Sequence, residues 1–228
     1  MSTHVDIAPG YALDAELSPG TFRCLDPAGR RWVLKRLPDD CRHADGIHPA
    51  IRERLARVRD VAHARVATLA TVVRGAGDPY LVWAHVDGTP LDQLTPTPDQ
   101  FPPLARNLAS AVETLHARGL VHGALTPGNV IVTPAGDVWL THVSPYLWTD
   151  PADDARAVAD LLRPIAAALS LPPPDPSDTL QDLAHRWSTP PEFPAEADAP
   201  DRRPLWAAVA VTLVAVALAV TLARWAQR

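Results

Sequence analysis

The sequence predicts an α+β protein in two lobes, an antiparallel five-stranded sheet with one helix and then a short helical unit, followed by a single transmembrane helix. Three observations carry this expectation. Short apolar and β-branched runs separated by Pro, Gly and Asp turns fill residues 1–86, the apolar spacing then changes to a helical period, and residues 205–223 hold no charge. The composition agrees, since 47% of the 228 residues are apolar, too many for a disordered chain. Its 25 prolines, about twice the usual ~5% share, call for an extended segment outside the core.

Tyr11 to Leu17 and Thr21 to Leu25 flank a Ser-Pro-Gly turn, and Arg31 to Leu37 follows a second turn at Pro27-Ala28-Gly29, which gives three antiparallel strands. Pro49 to Ala62 carries Ile51, Leu55 and Val58 at helical spacing, with Pro49 in the first turn, where its missing N–H costs nothing. Val66 to Val73 and Tyr80 to Val86 pair as a hairpin across Gly75-Ala76-Gly77-Asp78-Pro79. Past the polar connector 87–100, Leu104, Leu108, Val112 and Leu115 mark a helix that Gly119 can end. Val130–Val132 and Val138–Leu140 bracket another turn, and a last helix runs from about Asp153 to Leu169 with Pro164 as a potential kink.

Residues 171–204 hold nine prolines together with Glu192, Glu196, Asp198 and Asp201, and read as an acidic linker containing one short amphipathic stretch with Leu180, Leu183 and Trp187 on one face. The nineteen uncharged residues 205–223 just reach across a ~30 Å hydrocarbon core at ~1.5 Å per residue. Trp206 and Trp225 suit the two interfaces, and Arg202, Arg203, Arg224 and Arg228 close the run. With no signal segment at the N-terminus, the expected layout is a single-pass, tail-anchored protein of the inner or cytoplasmic membrane. Its residues 1–204 are then cytoplasmic, and 224–228 form a short tail.

A net charge of -5 gives no broad positive field, so nucleic acid is not an expected partner. Two cysteines, Cys24 and Cys41, make no disulfide framework. Cys41, His43 and His48 lack a fourth ligand at suitable spacing for zinc. Arg52, Arg54, Arg57, Arg59 and Arg65 read mainly as a solvated face.

From about Tyr11 to Leu169 several motifs occur in an order that resembles the protein kinase family, in particular bacterial Ser/Thr kinases. Trp32-Val33-Leu34-Lys35 is similar to the V-A-I-K strand, Glu53 falls where the helix glutamate partner belongs, and Leu81-Val82-Trp83-Ala84 resembles the approach to the hinge. His116 to Asn129 tracks the run through the catalytic loop, H-R-D-L-x-x-x-N, and Asp154 looks like the aspartate that opens the central helix of the second lobe. The resemblance implies lobes at 1–86 and 87–170, the second shortened because the linker starts where later helices belong.

The departures remove known parts of phosphoryl transfer. Ala124 stands where an Asp accepts the substrate proton, and Thr126 stands where a lysine supplies positive charge. His142-Val143-Ser144 aligns with D-F-G, and imidazole is a poor ligand for magnesium. Of the three loop glycines only Gly20 remains, Trp83 guards the back of the adenine pocket, and twelve steps from His142 to Asp154 leave almost no activation segment. What the resemblance then implies is a pseudokinase, a scaffolding or regulatory module in signalling that binds a protein partner at the membrane and the bilayer through residues 205–223. Its vestigial nucleotide cleft, Gly20, Lys35, Glu53 and Asn129, takes no metal and no cofactor beyond ATP without magnesium. Two alternatives stay open: an active Ser/Thr kinase-like transferase that recruits Asp137 or Asp150 to a metal, and a tail-anchored adaptor whose linker and anchor carry the function.

Overall fold

Alternation of side chains along each strand decides how the first lobe packs. The computed structural model describes residues 5–43, 46–61, 65–147 and 149–187. Within them run β1 (Asp6–Ala8), β2 (Tyr11–Ser18), β3 (Thr21–Leu25), β4 (Arg31–Arg36), the small hairpin β5 (Arg42–His43) and β6 (Gly46–Ile47), α1 (Pro49–Arg59), β7 (Leu69–Gly75) and β8 (Asp78–Ala84). Six of these strands form one antiparallel sheet in the order β1-β2-β3-β4-β8-β7. The five expected strands are all present, and β1 adds a sixth that three residues are too few to announce. Its pairing with β2, Asp6 opposite Ala12 and Ala8 opposite Tyr11, is a tertiary event.

The sheet curls until β1 lies beside the end of β7. There a side chain on Gly75 would put Cβ 1.8 Å from the Ile7 carbonyl oxygen, so only glycine lets the two backbones meet. The curl encloses a small core of Ala8, Cys24, Leu34, Tyr80 and Val82. Val33, Leu81 and Trp83 point to the opposite face and join the main core with Ile51, Leu55 and Val58 of α1.

The second lobe contains β9 (Thr89–Pro90), α2 (Phe101–His116), β10 (Val130–Val132), β11 (Val138–Leu140), α3 (Pro151–Ala168) and α4 (Leu180–His185). Leu104, Leu108, Val112 and Leu115 of α2 are buried as their spacing requires. Gly119, at φ +64°, turns the chain back so that Leu120 N–H bonds the Leu115 carbonyl. Asp150 caps α3 by accepting from Ala152 N–H, and Pro164 is accommodated inside that helix.

The lobes share one hydrophobic core, and a backbone staple reinforces the join. Ala67 N–H donates to the Leu140 carbonyl at 2.8 Å and Leu140 N–H to the Arg65 carbonyl at 2.9 Å. Val66 is therefore drawn into a bridge with β11 rather than into β7, which starts at Leu69.

The expected linker needs correction at its start. Residues 171–187 belong to the compact unit, because α4 closes a capping box between Thr179 and Asp182 and buries Leu180 and Leu183 in the main core. Trp187 stacks edge-on against Phe101, centroids 4.8 Å apart, and donates from Nε1 to the Pro172 carbonyl at 3.1 Å. Proline content marks 171–178 as extended but says nothing about whether the apolar face after it finds a partner. Trp187→Ala is expected to cost about 3 kcal/mol, the usual loss for a buried large aromatic. Urea unfolding followed by fluorescence checks it, and an unchanged midpoint refutes a structural role for α4.

The expected span 205–223, the tail 224–228 and the linker beyond residue 187 lie outside the described residues. Among the described residues no helix is long and apolar enough to cross a membrane.

Candidate functional site

The cleft between the lobes is built on three rigid pieces: β4 and β8 above, the loop 122–129 below, and the segment 141–146 that leaves β11. The lower loop is fixed from beneath. Asp154, in the first turn of α3, is buried, and its Oδ2 accepts from His122 N–H at 2.7 Å and lies 2.9 Å from His116 Nε2. Its Oδ1 accepts from Gly123 N–H at 2.9 Å. Burial by itself raises the carboxyl pKa, but the bonds from His116, Gly123 and His122 outweigh it and hold Asp154 below the ordinary carboxylate value. The aspartate expected to open the central helix thus lies in the first turn of α3 and fixes the loop from below. Gly123 sits at φ +67°, and a Cβ there would come within 2.4 Å of Thr149 Cγ2, so this turn of the loop is closed to other residues.

His122 is buried, with Nε2 3.0 Å from the Thr141 carbonyl oxygen and Nδ1 accepting from Ala124 N–H at 3.3 Å. The carbonyl fixes the tautomer with the proton on Nε2. Burial pushes its pKa down to about 4, so it is a neutral structural link between the loop and β11. Asn129 ties the loop to itself, donating from Nδ2 to the Ala124 carbonyl at 2.7 Å.

His142, in the position of the metal-binding aspartate, turns inward at φ +60° and meets Asn129, its Nδ1 3.1 Å from Asn129 Oδ1. Because Asn129 Nδ2 already donates to Ala124, Oδ1 is the acceptor and His142 Nδ1 carries the proton. Burial, then the nearby Lys35 charge, pushes the His142 pKa down to about 3. Its Nε2 is buried without a hydrogen-bond partner, as is Trp83 Nε1, and the two rings stand edge-to-face with centroids 5.7 Å apart. A side-chain pair thus joins positions 129 and 142, the two that the resemblance associates with metal binding. Thr126 is exposed and offers only a backbone carbonyl, to Asn129 N–H.

Lys35 and Glu53 are not brought together. Lys35 is half-buried on β4, and among the described residues no carboxylate pairs with it. Burial holds its pKa below the ordinary lysine value. Glu53 is exposed beside Arg57, Gly119 and Thr149, on the side of α1 turned away from β4. The residue one step on takes the inward place. Arg54, 8% exposed, donates from Nε to the Ser144 carbonyl at 2.8 Å and from its terminal nitrogen to the Val121 carbonyl at 2.7 Å. Arg54 is therefore not part of a solvated face. Its spacing of three from Ile51 and four from Val58 is the signal that places it on the buried stripe. The helix is bolted to the lower lobe by these two bonds, where the expected ion pair would have tied it to the upper sheet. Arg54→Met is expected to leave both carbonyls unpaired and cost about 2 kcal/mol. Faster amide exchange in α1 and residues 144–147 checks this, and unchanged exchange there contradicts it.

Gly20 keeps its left-handed turn at φ +74°, next to Lys35 and Arg36, around an open hollow of 280 Å³. Behind Lys35 the cleft narrows to a slot of 110 Å³ lined by Leu81, Trp83, Ala124, His142 and Tyr146. Tyr146 also bridges the lobes, its hydroxyl donating to Asp40 Oδ1 at 3.1 Å. The alternative metal ligands are engaged elsewhere: Asp150 caps α3, and Asp137 lies 3.4 Å from the Arg65 guanidinium. His48 caps α1 from Nδ1, and among the described residues no cluster of His, Cys, Asp and Glu suits a metal.

No protein-family model matches the chain. Over 141 residues it is 30% identical to the protein named "Probable bifunctional tRNA threonylcarbamoyladenosine biosynthesis protein" of Methanosarcina mazei, a match covering 57% of this chain and 23% of that protein. Over 67 residues it is 37% identical to the DNA damage-responsive serine/threonine-protein kinase RqkA of Deinococcus radiodurans, covering 27% of this chain and 10% of that kinase. The chain thus spans less than a quarter of the length of these two relatives. The crystal structure of the PknI kinase domain of Mycobacterium tuberculosis aligns at 19% identity with a TM-score of 0.57, over 82% of this chain and 88% of that domain. The order of motifs, the Asp154 clamp under the loop and this superposition agree: the chain has the protein kinase-like fold, with three helices in the second lobe among its described residues.

Proposed function

We propose that this protein is a pseudokinase, a kinase-fold module that binds a protein partner at the cytoplasmic face of a membrane and does not transfer phosphate efficiently. The observation that carries this reading is the contact between His142 and Asn129. Both positions expected to hold a metal are spent on each other, with Ala124 beside them in place of the base. Losing a general base costs on the order of 10²- to 10⁴-fold in rate, and losing the charge that stabilises the transition state costs a comparable factor. The slot behind Lys35, at 110 Å³, is also smaller than the roughly 150 Å³ that holds a benzene ring, and so too small for a purine. Membrane attachment rests on the uncharged run 205–223, and the binding role on a fold kept while its chemistry is replaced.

The test is a thermal-shift titration of the full chain in nanodiscs with ATP, with and without magnesium. A ligand at a hundredfold excess over its Kd stabilises by about 2.7 kcal/mol, roughly 5–10 °C here. No magnesium-dependent shift is expected. A magnesium-dependent shift together with phosphate incorporation that Lys35→Ala abolishes overturns the proposal. Membrane attachment is checked separately by carbonate washing, which the full chain resists and a chain lacking residues 205–223 does not.

A further inference from the structure

Lys35 is the only lysine in the chain, against twenty arginines. Its neighbours in charge are all partnered: Arg36 binds Asp39 and Asp78, Arg42 binds the same two carboxylates, and Arg31 binds Asp87. Lys35 is the exception, half-buried with no carboxylate paired to it among the described residues. A partly desolvated cation of this kind is stabilised by an anion brought from outside.

The space around it restricts which anion fits. On one side lies the open hollow of 280 Å³ shared with Pro19, Gly20 and Arg36. On the other lies the slot of 110 Å³, whose walls are largely apolar: Leu81, Trp83, Ala124, Val143, Pro145 and Tyr146. A cavity of roughly 150 Å³ holds a benzene ring, so this slot takes a smaller body of a few carbons. The single uncommitted positive charge matches a monoanion. A phosphate dianion would need the second cation that Arg36, already held by two carboxylates, does not offer.

We infer that the slot behind Lys35 binds a short-chain carboxylate, its apolar body between Leu81, Trp83, Ala124 and Tyr146 and its carboxylate on the Lys35 ammonium. This rests on the pseudokinase reading, in which Mg·ATP does not fill the cleft. The ligand would fix the two lobes against each other, since β4 and β8 supply one wall and the segment 143–146 the other.

The chain's single lysine gives a direct test. Reductive methylation with ¹³C-formaldehyde labels only Lys35 and the α-amino group and keeps their charge, so each gives its own resonance. Isobutyrate is titrated into the labelled full chain, with isobutanol as the neutral isostere and inorganic phosphate as the other anion. The expected result is a saturable shift of the Lys35 methyls with isobutyrate, none with isobutanol, and an α-amino signal that does not follow. Ala124→Leu, which fills the slot and leaves the charge, should weaken binding by about tenfold, as loss of shape fit does in small apolar sites. A linear shift shared with the α-amino signal, or saturation by phosphate at lower concentration than by isobutyrate, overturns the inference. Absence of an isobutyrate shift in a chain that also ignores Mg·ATP sinks the inference alone. A saturable Mg·ATP shift sinks it, and phosphate incorporation that Lys35→Ala abolishes sinks the pseudokinase reading with it.

Discussion

Asp154→Ala is expected to destabilise the described domain by about 3–5 kcal/mol, lowering its melting temperature by roughly 10–15 °C. The carboxylate is 1% exposed and holds three donors, the N–H groups of His122 and Gly123 and the His116 ring. Removing it strands two backbone N–H groups in the interior and takes away a negative charge that favours the buried Arg54 guanidinium. Asp154→Asn should lose nearly as much, because each oxygen accepts and an amide can offer only one acceptor. Chemical unfolding of both variants provides the measurement. A loss under about 1 kcal/mol for the alanine variant would show that the loop is held by its other contacts.

Acidification is expected to unfold the protein between pH 6.5 and about 4, earlier than its carboxylates alone would dictate. His122 and His142 are held neutral in the fold, with pKa values of about 4 and about 3 against an ordinary 6.5. Above pH 6.5 neither state is protonated and the two histidines cost nothing. Below it the unfolded chain takes up protons that the folded chain refuses, so stability falls until the folded values are reached. At ~1.36 kcal/mol per unit, His122 alone accounts for on the order of 3 kcal/mol. Asp154 acts in a lower window: its depressed pKa contributes stability that is complete above the ordinary 3.8 and is lost only as pH falls through its folded value. His142→Asn keeps a donor for Asn129 and suits the left-handed backbone at that position, but does not titrate. It should recover about half of the stability lost between pH 6.5 and 4.5, as expected if the two histidines share the effect. Identical pH profiles for the two proteins would place the acid sensitivity elsewhere.

Much of the fold is legible in the sequence because its signals are local. The alternation in Arg31–Arg36, the helical stripe Leu104–Leu115 and the turns at Gly20 and Gly119 are each set by side chains within a few residues of one another. The loop residues His122 and Asn129 likewise take the structural roles their type favours, since a buried imidazole or amide must find backbone partners. What is not legible needs a distant partner. β1 exists only because β2 and the end of β7 are there to receive it, and α4 leaves the linker for the core only because Phe101 waits for Trp187.

The cleft divides the same way. By itself the sequence determines which chemical groups are missing: no carboxylate at 124 or 142, no lysine at 126, and one loop glycine in place of three. Only the tertiary structure decides what the remaining groups do. Glu53 and Arg54 are adjacent polar residues, and one step along a helix rotates a side chain by about 100°, so the docking of α1 on the sheet selects which of them faces inward. It selects Arg54, leaving Lys35 without the glutamate and free for another anion. The pairing of His142 with Asn129 and the narrowness of the slot behind Trp83 are equally decisions of packing, the first depending on how two loops of the second lobe meet and the second on the distance between a strand in one lobe and a loop in the other.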